Sequence, residues 1–208
     1  MRGGLLVPGE SVGDPFMASI AYAEVALANG VDILLGTGIA GVELGQAPGA
    51  PVHHLVTDDG HRLPARRIIN VAGLGSRRLA DGYGGGAFDI NPRRGQFVLF
   101  DKCARSLVRH MLLPMPSAHT KGVLVSPTIF GNLLAGPTAE DLPLDDPEAT
   151  HTTVEGIRKV MEGGSRLVNG LAQQPVIATY AGARCACNQG SYIIRYNDGA
   201  PGVVTVTG

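Results

Sequence analysis

Residues 121–141 read Lys-Gly-Val-Leu-Val-Ser-Pro-Thr-Ile-Phe-Gly-Asn-Leu-Leu-Ala-Gly-Pro-Thr-Ala-Glu-Asp. Two short apolar runs in this segment predict two strands, Gly122–Val125 and Asn132–Ala135, because proline and glycine punctuate the residues between and after them. Lys121-Gly122 and Gly136-Pro137-Thr138 are expected to shape the strand ends. The segment therefore predicts short paired strands rather than a helical bundle.

The rest of the sequence predicts further short strands together with a few helices, and therefore a mixed fold. Short strands separated by turns, with a few helices, indicate the α+β class, with a mixed sheet and helices on one face. A hairpin is expected over Val52–Arg67, with Asp58-Asp59-Gly60 at its tip. Further strands are expected at Val31–Leu35, Ile39–Leu44, Arg66–Val71, Gly95–Phe100, Val176–Tyr180, Tyr192–Tyr196 and Val203–Thr207, and further helices at Gly75–Asp81 and Thr152–Met161.

The clearest helix follows Asp14. This residue is a good N-cap, Pro15 suits the first turn, and Gly30 is a ready C-terminal stop. Apolar residues at helical spacing predict one buried stripe, formed by Phe16, Ile20, Ala23 and Leu27.

Composition excludes several function classes. The 208 residues include 17 Lys plus Arg and 18 Asp plus Glu, so the chain offers no strongly basic surface for nucleic acid. Cys103, Cys185 and Cys187 are an odd number of thiols and lack the four-ligand spacing of zinc or iron–sulfur sites. They are interpreted as bystander thiols in a reducing cytoplasm, and no metal is expected. No apolar run is long enough to span a membrane, although peripheral attachment stays open.

The segment at 121–141 resembles the "KGvlvtPTv-GNlllGPTAeD" pattern of the D-amino-acid-oxidase-like (DAO) superfamily of FAD-dependent oxidoreductases. Within it, the sequence is similar to the branch of anaerobic glycerol-3-phosphate dehydrogenase and L-2-hydroxyglutarate dehydrogenase. The resemblance implies part of an FAD-binding Rossmann-like domain in residues 1–82. It implies a substrate-binding domain with a mixed sheet in residues 83–195, and a strand returning to the FAD-binding domain in residues 196–208.

Two segments are candidates for contact with FAD. Ile68–Ser76 is an apolar strand that ends in small residues, so its backbone could approach a ligand closely, or could simply form a tight strand-to-helix turn. It resembles the family's "viNaAG" segment, which implies that Ala72 and Gly73 line the cofactor. Thr37-Gly38-Ile39 is similar to the family's "t-x-V" strand, which implies that the backbone of Ile39 binds the adenine ring.

Arginines are the candidates for binding an anionic substrate. Tyr180–Arg184 resembles the family's "faGlRp" motif, which implies that Arg184 pairs with a substrate carboxylate or phosphate, a role that suits a planar guanidinium. Cys185 stands where the motif has proline. Arg195 is a candidate second charge. Asn91–Phe97 resembles the family's "PrrGqy" turn, which implies that Arg94 and Gly95 lie near the flavin, although a solvated basic turn fits these residues equally.

Residues Gly36–Gly41 also match G-x-G-x-x-G formally, but Gly45 and Pro48 would break the helix that a pyrophosphate site needs. We therefore expect no dinucleotide fingerprint there. Acid–base candidates are few, since His53, His54 and His61 fall around the predicted hairpin and are expected to be exposed. No catalytic base is assigned.

The resemblance implies an FAD-dependent dehydrogenase that oxidises a CH–OH substrate, such as glycerol 3-phosphate or a 2-hydroxyacid, by hydride transfer to flavin. The electron acceptor stays open between a quinone, oxygen and a partner protein. An amino-acid oxidase of the same superfamily is the alternative. A non-catalytic fragment that needs a separate chain is a further one, because the family's pyrophosphate-binding unit has no match here. We therefore expect the isolated chain to hold FAD weakly or not at all.

Overall fold

The computed structural model describes residues 3–46, 52–86, 88–116, 122–143, 146 and 149–208. It confirms a mixed α and β fold. The helices are α1 (Pro15–Ala28), α2 (Ser76–Gly82) and α3 (Val154–Leu167). The strands are β1 (Ile39–Glu43), β2 (His53–Thr57), β3 (Arg62–Ala65), β4 (Ile68–Asn70), β5 (Ile90–Phe100), β6 (Leu124–Pro127), β7 (Leu133–Gly136), β8 (Glu140–Asp141), β9 (Val176–Cys187), β10 (Ile193–Tyr196) and β11 (Val203–Thr207).

The chain divides into two compact units. Unit 1 comprises Met1–Ile33, Gln96–Thr138 and His151–Ala181, and unit 2 comprises Leu34–Gly95, Ala139–Thr150 and Gly182–Gly208. The long strands β5 and β9, which pair with each other, both pass from one unit to the other. The domain boundaries at residues 82 and 195 stay a prediction.

Unit 1 is built on antiparallel pairing of β6 with β7 and of β7 with β5. Its core contains Val98, Phe100, Val125, Leu133 and Leu171, each completely buried, together with Val160 of α3. Thr153 is the N-cap of α3, and its hydroxyl accepts a hydrogen bond from the Gly156 backbone N–H at 3.1 Å. Gly156, Val160 and Gly164 form its buried side, where the small residues let the sheet approach closely.

Unit 2 contains two three-stranded sheets. β1, β2 and β3 form an antiparallel meander, with Gly60 at a φ of 86° in the predicted turn between β2 and β3. In the second sheet β11 lies between β10 and β4, and it is antiparallel to β10 but parallel to β4. The core of this unit packs Ile68, Ala80, Tyr83, Phe88 and Val203 together.

The structure corrects three expectations about the strands and helices. The segment 31–35 forms no strand, and its apolar side chains, including Leu35 at 87%, are exposed. The stripe on α1 is not buried: the helix forms with the predicted Asp14 N-cap, but Phe16 is 71% and Leu27 55% exposed. β9 continues seven residues beyond the predicted end at Tyr180, because it pairs with the long strand β5.

Within the described residues, no helix combines the length and the apolar character needed to cross a bilayer.

Candidate cofactor and substrate site

The turn after β4 is held in place by a buried polar network. The Asn70 amide nitrogen donates to the Ser76 carbonyl at 2.9 Å and to the Tyr83 hydroxyl at 2.8 Å, and its amide oxygen accepts from the Ala72 backbone N–H at 3.2 Å. The Tyr83 hydroxyl in turn bonds Thr205 Oγ1 of β11 at 2.7 Å. Since these groups lie in a buried environment, the network fixes the path of the backbone from residue 70 to residue 76.

Gly73 occupies a conformation that favours glycine. Its φ is 58°, in the left-handed region, and a Cβ at this position would lie 3.8 Å from Cys185 Sγ, an ordinary contact. The turn predicted to meet the cofactor therefore lies beside Cys185 of β9, the residue that follows Arg184 in the sequence. Burial raises the pKa of the Cys185 thiol, which fits a packing role rather than a nucleophilic one.

Arg184 lines a cavity of about 690 Å³ within unit 2. The cavity lies between the end of β9, the segment from Gly190 to Tyr192, and Gly208. Because β4 and β11 are parallel, their carboxyl ends, where the 71–75 turn and Gly208 follow, lie at the same edge of the sheet. This is the position at which α/β sheets bind nucleotides.

The cavity's second arginine is Arg93, which the sequence analysis did not single out. Its guanidinium pairs with Asp141 through Nε at 2.6 Å and Nη2 at 3.1 Å, and this hydrogen bonding lowers the pKa of Asp141. The signal that could have found it is strand alternation, because adjacent residues of an extended strand face opposite sides.

The predicted flavin neighbours Arg94 and Gly95 belong to β5 but are not among the residues lining this cavity. The Arg94 guanidinium pairs with Glu140 at 3.0 Å and donates to the Ala149 carbonyl at 3.4 Å, which gives it a structural partner on β8. Arg195, on β10 opposite Thr205, also does not line the cavity. Of the two arginines predicted to bind the substrate, Arg184 lines this cavity and Arg195 does not.

The two motifs around β5 and β9 meet through their aromatic residues. In unit 1 the rings of Phe97 and Tyr180 stack with centroids 5.2 Å apart and an angle of 17° between their planes. Sequence reasoning placed both residues in family-like segments but did not bring the two segments together. The pairing of β5 with β9 does so.

The predicted adenine contact lies on the meander. The Ile39 carbonyl accepts a hydrogen bond from Arg78 Nη2 at 3.0 Å, so this backbone oxygen already has a protein partner. Gly36–Gly41 is followed by the rest of β1 rather than by a helix, and this confirms that the formal G-x-G-x-x-G match is not a phosphate-binding turn. A Cβ at Gly38 would overlap the Asp58 carboxylate.

His53 is completely buried, contrary to the expectation of exposure. Its Nδ1 accepts from the Gly45 backbone N–H at 3.2 Å, and Nε2 donates to the Pro201 carbonyl at 2.8 Å. With both ring nitrogens bound to backbone, this histidine supports the structure of the unit. Within the described parts of the chain, no three or more His, Cys, Asp or Glu side chains are grouped to hold a metal ion.

Comparison with known proteins identifies the family. The family model described as "DAO: FAD dependent oxidoreductase" matches residues 1–208. The chain belongs to this family. It is 34% identical over 215 residues to a glycerol 3-phosphate dehydrogenase of Caloramator mitchellensis, a match that covers 100% of this chain and 42% of that protein. It is 30% identical to a glycerol 3-phosphate oxidase of Mycoplasma pneumoniae, covering 87% of this chain and 47% of that protein.

Solved structures agree with this membership. The L-α-glycerophosphate oxidase of Mycoplasma pneumoniae with FAD bound matches with a TM-score of 0.81 and 27% identity, over 93% of this chain and 50% of that one. Glycine oxidase of Bacillus cereus shares the fold with a TM-score of 0.75 at 17% identity. The chain thus spans about half the length of the proteins that it matches.

The residues present fit one side of an FAD site. The 71–75 turn carries no large side chain at Ala72 and Gly73, and it lies at the carboxyl ends of two parallel strands. Two buried hydroxyls near this edge, Ser76 Oγ and Thr207 Oγ1, have no hydrogen-bond partner among the described residues. Among the described residues, the G-x-G-x-x-G match at Gly36–Gly41 leads into strand β1 and not into a phosphate-binding helix.

Proposed function

We propose that this chain forms the substrate-binding part, and one side of the flavin site, of an FAD-dependent dehydrogenase. The substrate is a small anion with a CH–OH group, such as glycerol 3-phosphate or a 2-hydroxyacid. The names of the similar proteins from Caloramator mitchellensis and Mycoplasma pneumoniae support glycerol 3-phosphate as the first substrate to test.

One observation carries the proposal: exposed Arg184 lines a cavity together with Cys185, whose sulfur lies 3.8 Å from where a Cβ of Gly73 would stand. In this proposal Arg184 holds the anionic end of the substrate through paired N–H donors. Arg93 adds positive charge to the same cavity, although Asp141 offsets part of it. Arg195, which is not among the residues lining this cavity, remains a candidate for a second positive charge that binds the substrate.

The backbone of Ala72 and Gly73 is proposed to lie against FAD, with Ile39 near the adenine end and Arg94 and Gly95 near the flavin. Bound FAD would supply the redox chemistry, by accepting a hydride from the substrate carbon. The network of Asn70, Tyr83 and Thr205 holds the turn rigid, so that the orientation of the cofactor is set before substrate binds.

The free thiols of Cys103, Cys185 and Cys187 support a reducing, cytoplasmic location as part of the same proposal.

The test is binding of glycerol 3-phosphate to the chain, followed by NMR chemical-shift titration. Arg184→Ala should weaken binding at least tenfold, because the phosphate loses its bidentate partner, whereas Arg184→Lys should weaken it less. Arg158→Ala is the matched control, since Arg158 is an exposed arginine of α3 outside the cavity. Equal binding by Arg184→Ala and the unaltered chain would refute the assignment. Shifts induced by glycine but not by glycerol 3-phosphate would favour the amino-acid oxidase.

A further inference from the structure

Two sets of contacts fix the register of the paired strands β5 and β9. Near the start of β5, the Asn188 backbone N–H donates to the Asp89 carbonyl at 3.1 Å, and the Asp89 backbone N–H donates to the Asn188 side-chain oxygen at 3.2 Å. Later on β5, the ring of Phe97 stacks on that of Tyr180, which comes earlier on β9. The two strands therefore run antiparallel.

This register places Arg93 directly opposite Arg184. Arg93 lies midway between the two contacts on β5 and Arg184 lies midway between them on β9, each four residues from either contact. An even spacing keeps both side chains on the face of the stacked rings. Both arginines line the cavity of unit 2. As cross-strand neighbours they have Cβ atoms about 4.5–5.5 Å apart, so both guanidinium groups can reach one ligand.

A carboxylate on the other side of β5 extends this pair to a row of three charges. Asp141 of β8 lies opposite Arg93, and its carboxylate accepts from Arg93 Nε at 2.6 Å and from Nη2 at 3.1 Å. Among the described residues, no carboxylate pairs with Arg184. The charged row of Asp141, Arg93 and Arg184 therefore has one positive charge in excess.

The unbalanced end of the charged row favours binding of an anion. Like charges directly opposite each other on neighbouring strands repel, and an anion between Arg93 and Arg184 would remove that repulsion. Asp141 takes up the Nε and one side of the Arg93 guanidinium. The two N–H groups of Arg93 Nη1 have no partner among the described residues, so they can donate to a ligand. Asp141 thus orients Arg93 without occupying all of its donors.

The charge and reach of the two arginines fit a phosphate monoester better than a carboxylate. A phosphate monoester carries about −1.5 to −2 charges at pH 7 and has three terminal oxygens. A carboxylate has one charge and two oxygens, which a single guanidinium can satisfy with two parallel hydrogen bonds. The second guanidinium therefore adds more to the binding of a phosphate than to that of a carboxylate.

We propose that Arg93 is a second substrate-binding residue, which together with Arg184 selects phosphate monoesters over carboxylates with a single charge, and that Asp141 positions its guanidinium. The inference rests on the proposed function, in which Arg184 holds the anionic end of the substrate. It goes beyond that function by naming the residue that decides between the two substrate classes, glycerol 3-phosphate and the 2-hydroxyacids.

The experiment compares the binding of glycerol 3-phosphate and of L-lactate to the chain at pH 7 by NMR titration. The double variant Arg93→Gln/Asp141→Asn removes the ion pair without changing the net charge. It should weaken glycerol 3-phosphate binding at least fivefold and L-lactate binding less than twofold, because the phosphate alone uses the donors of Arg93. The matched control is Arg158→Gln/Glu162→Gln, which removes an exposed ion pair of α3 outside the cavity. Circular dichroism checks that each variant is folded.

The Nε signals of the two arginines in the unaltered chain give a second measurement that needs no variant. Glycerol 3-phosphate should shift the signals of both Arg93 and Arg184. L-Lactate should shift that of Arg184 alone. A purely structural Arg93 would respond to neither ligand.

Loss of the preference for phosphate in Arg93→Gln/Asp141→Asn, with the preference kept in the α3 control, supports the inference. An unchanged preference, or an Arg93 signal that glycerol 3-phosphate does not move, would overturn it and leave the proposed function standing if Arg184→Ala weakens binding. A response of Arg93 without one of Arg184 would refute the role proposed for Arg184 and support that of Arg93. Absence of any response to either anion would overturn both.

Discussion

At the scale of single residues, the left-handed turn at Gly73 is the feature on which the proposed flavin site most depends. Its φ of 58° is costly for any residue with a side chain, whereas the space around the missing Cβ is adequate, with Cys185 Sγ at 3.8 Å. The requirement for glycine is therefore conformational and not one of crowding within this chain.

Gly73→Ala should lower the free energy of unfolding by ~1–2 kcal/mol, because alanine must adopt the left-handed conformation. Gly75→Ala is a matched control two residues away, where the φ of −80° suits alanine and the nearest atom to an added Cβ is 3.8 Å away. Urea unfolding measures both. A loss of stability in Gly75→Ala as large as in Gly73→Ala would contradict this explanation.

The ion pair of Arg93 and Asp141 predicts a specific pH response. Because its hydrogen bonds with Arg93 lower the pKa of Asp141 in the folded chain, the pair stabilises the fold at pH values above the ordinary carboxyl pKa of ~3.9. That contribution is lost as the pH falls through the lowered value. Arg93→Gln should move the NMR titration midpoint of the Asp141 carboxyl back upward. An unchanged midpoint would show that Arg93 does not hold this carboxylate in solution.

At the scale of elements, α1 and α3 show how tertiary packing rather than local signals decides stability. Both have 14 residues and a side-chain N-cap, Asp14 in one and Thr153 in the other. Only α3 buries residues, among them Val160 in the core of unit 1. An isolated helix of this length is marginal in water.

Amide hydrogens of α1 should therefore exchange with solvent much faster than those of α3, by at least tenfold at mid-helix positions. Hydrogen exchange measured by mass spectrometry or NMR on the chain alone tests this, with α3 as the internal reference. Comparable protection of the two helices would mean that α1 is packed against something in solution.

At the scale of the whole chain, each of the two units has its own buried hydrophobic core, so we expect the chain to fold without a cofactor. We expect the purified chain to contain no stoichiometric FAD, because the helix N-terminus that would bind the pyrophosphate is not among the described residues. Flavin absorbance after desalting measures this. One slowly released FAD per chain would contradict the expectation.

Several elements were readable from sequence because each depends on local chemistry: small residues end the strand at Ala72 and Gly73, Asp14 and Pro15 start α1, and Asp58-Asp59-Gly60 turns a hairpin. Which residues line the cavity was harder to predict from the sequence. Arg184 was predicted as a binding residue, but on β5 the prediction chose Arg94 and not Arg93. A sequence motif identifies a segment of the chain. The alternation of side chains along the strand then decides which of two neighbouring residues faces a cavity.

By itself the sequence determined the family, the mixed class of the fold, and most helices and strands, because propensity, caps and turn residues act over a few positions along the chain. The tertiary structure decided the rest: that β9 continues through Arg184, that His53 is buried between backbone groups, that the apolar stripe of α1 is exposed, and that Arg93 lies opposite Arg184. These outcomes depend on contacts between residues distant in sequence. A pattern of apolar residues shows that a surface needs covering, and only the packed chain shows whether it is covered.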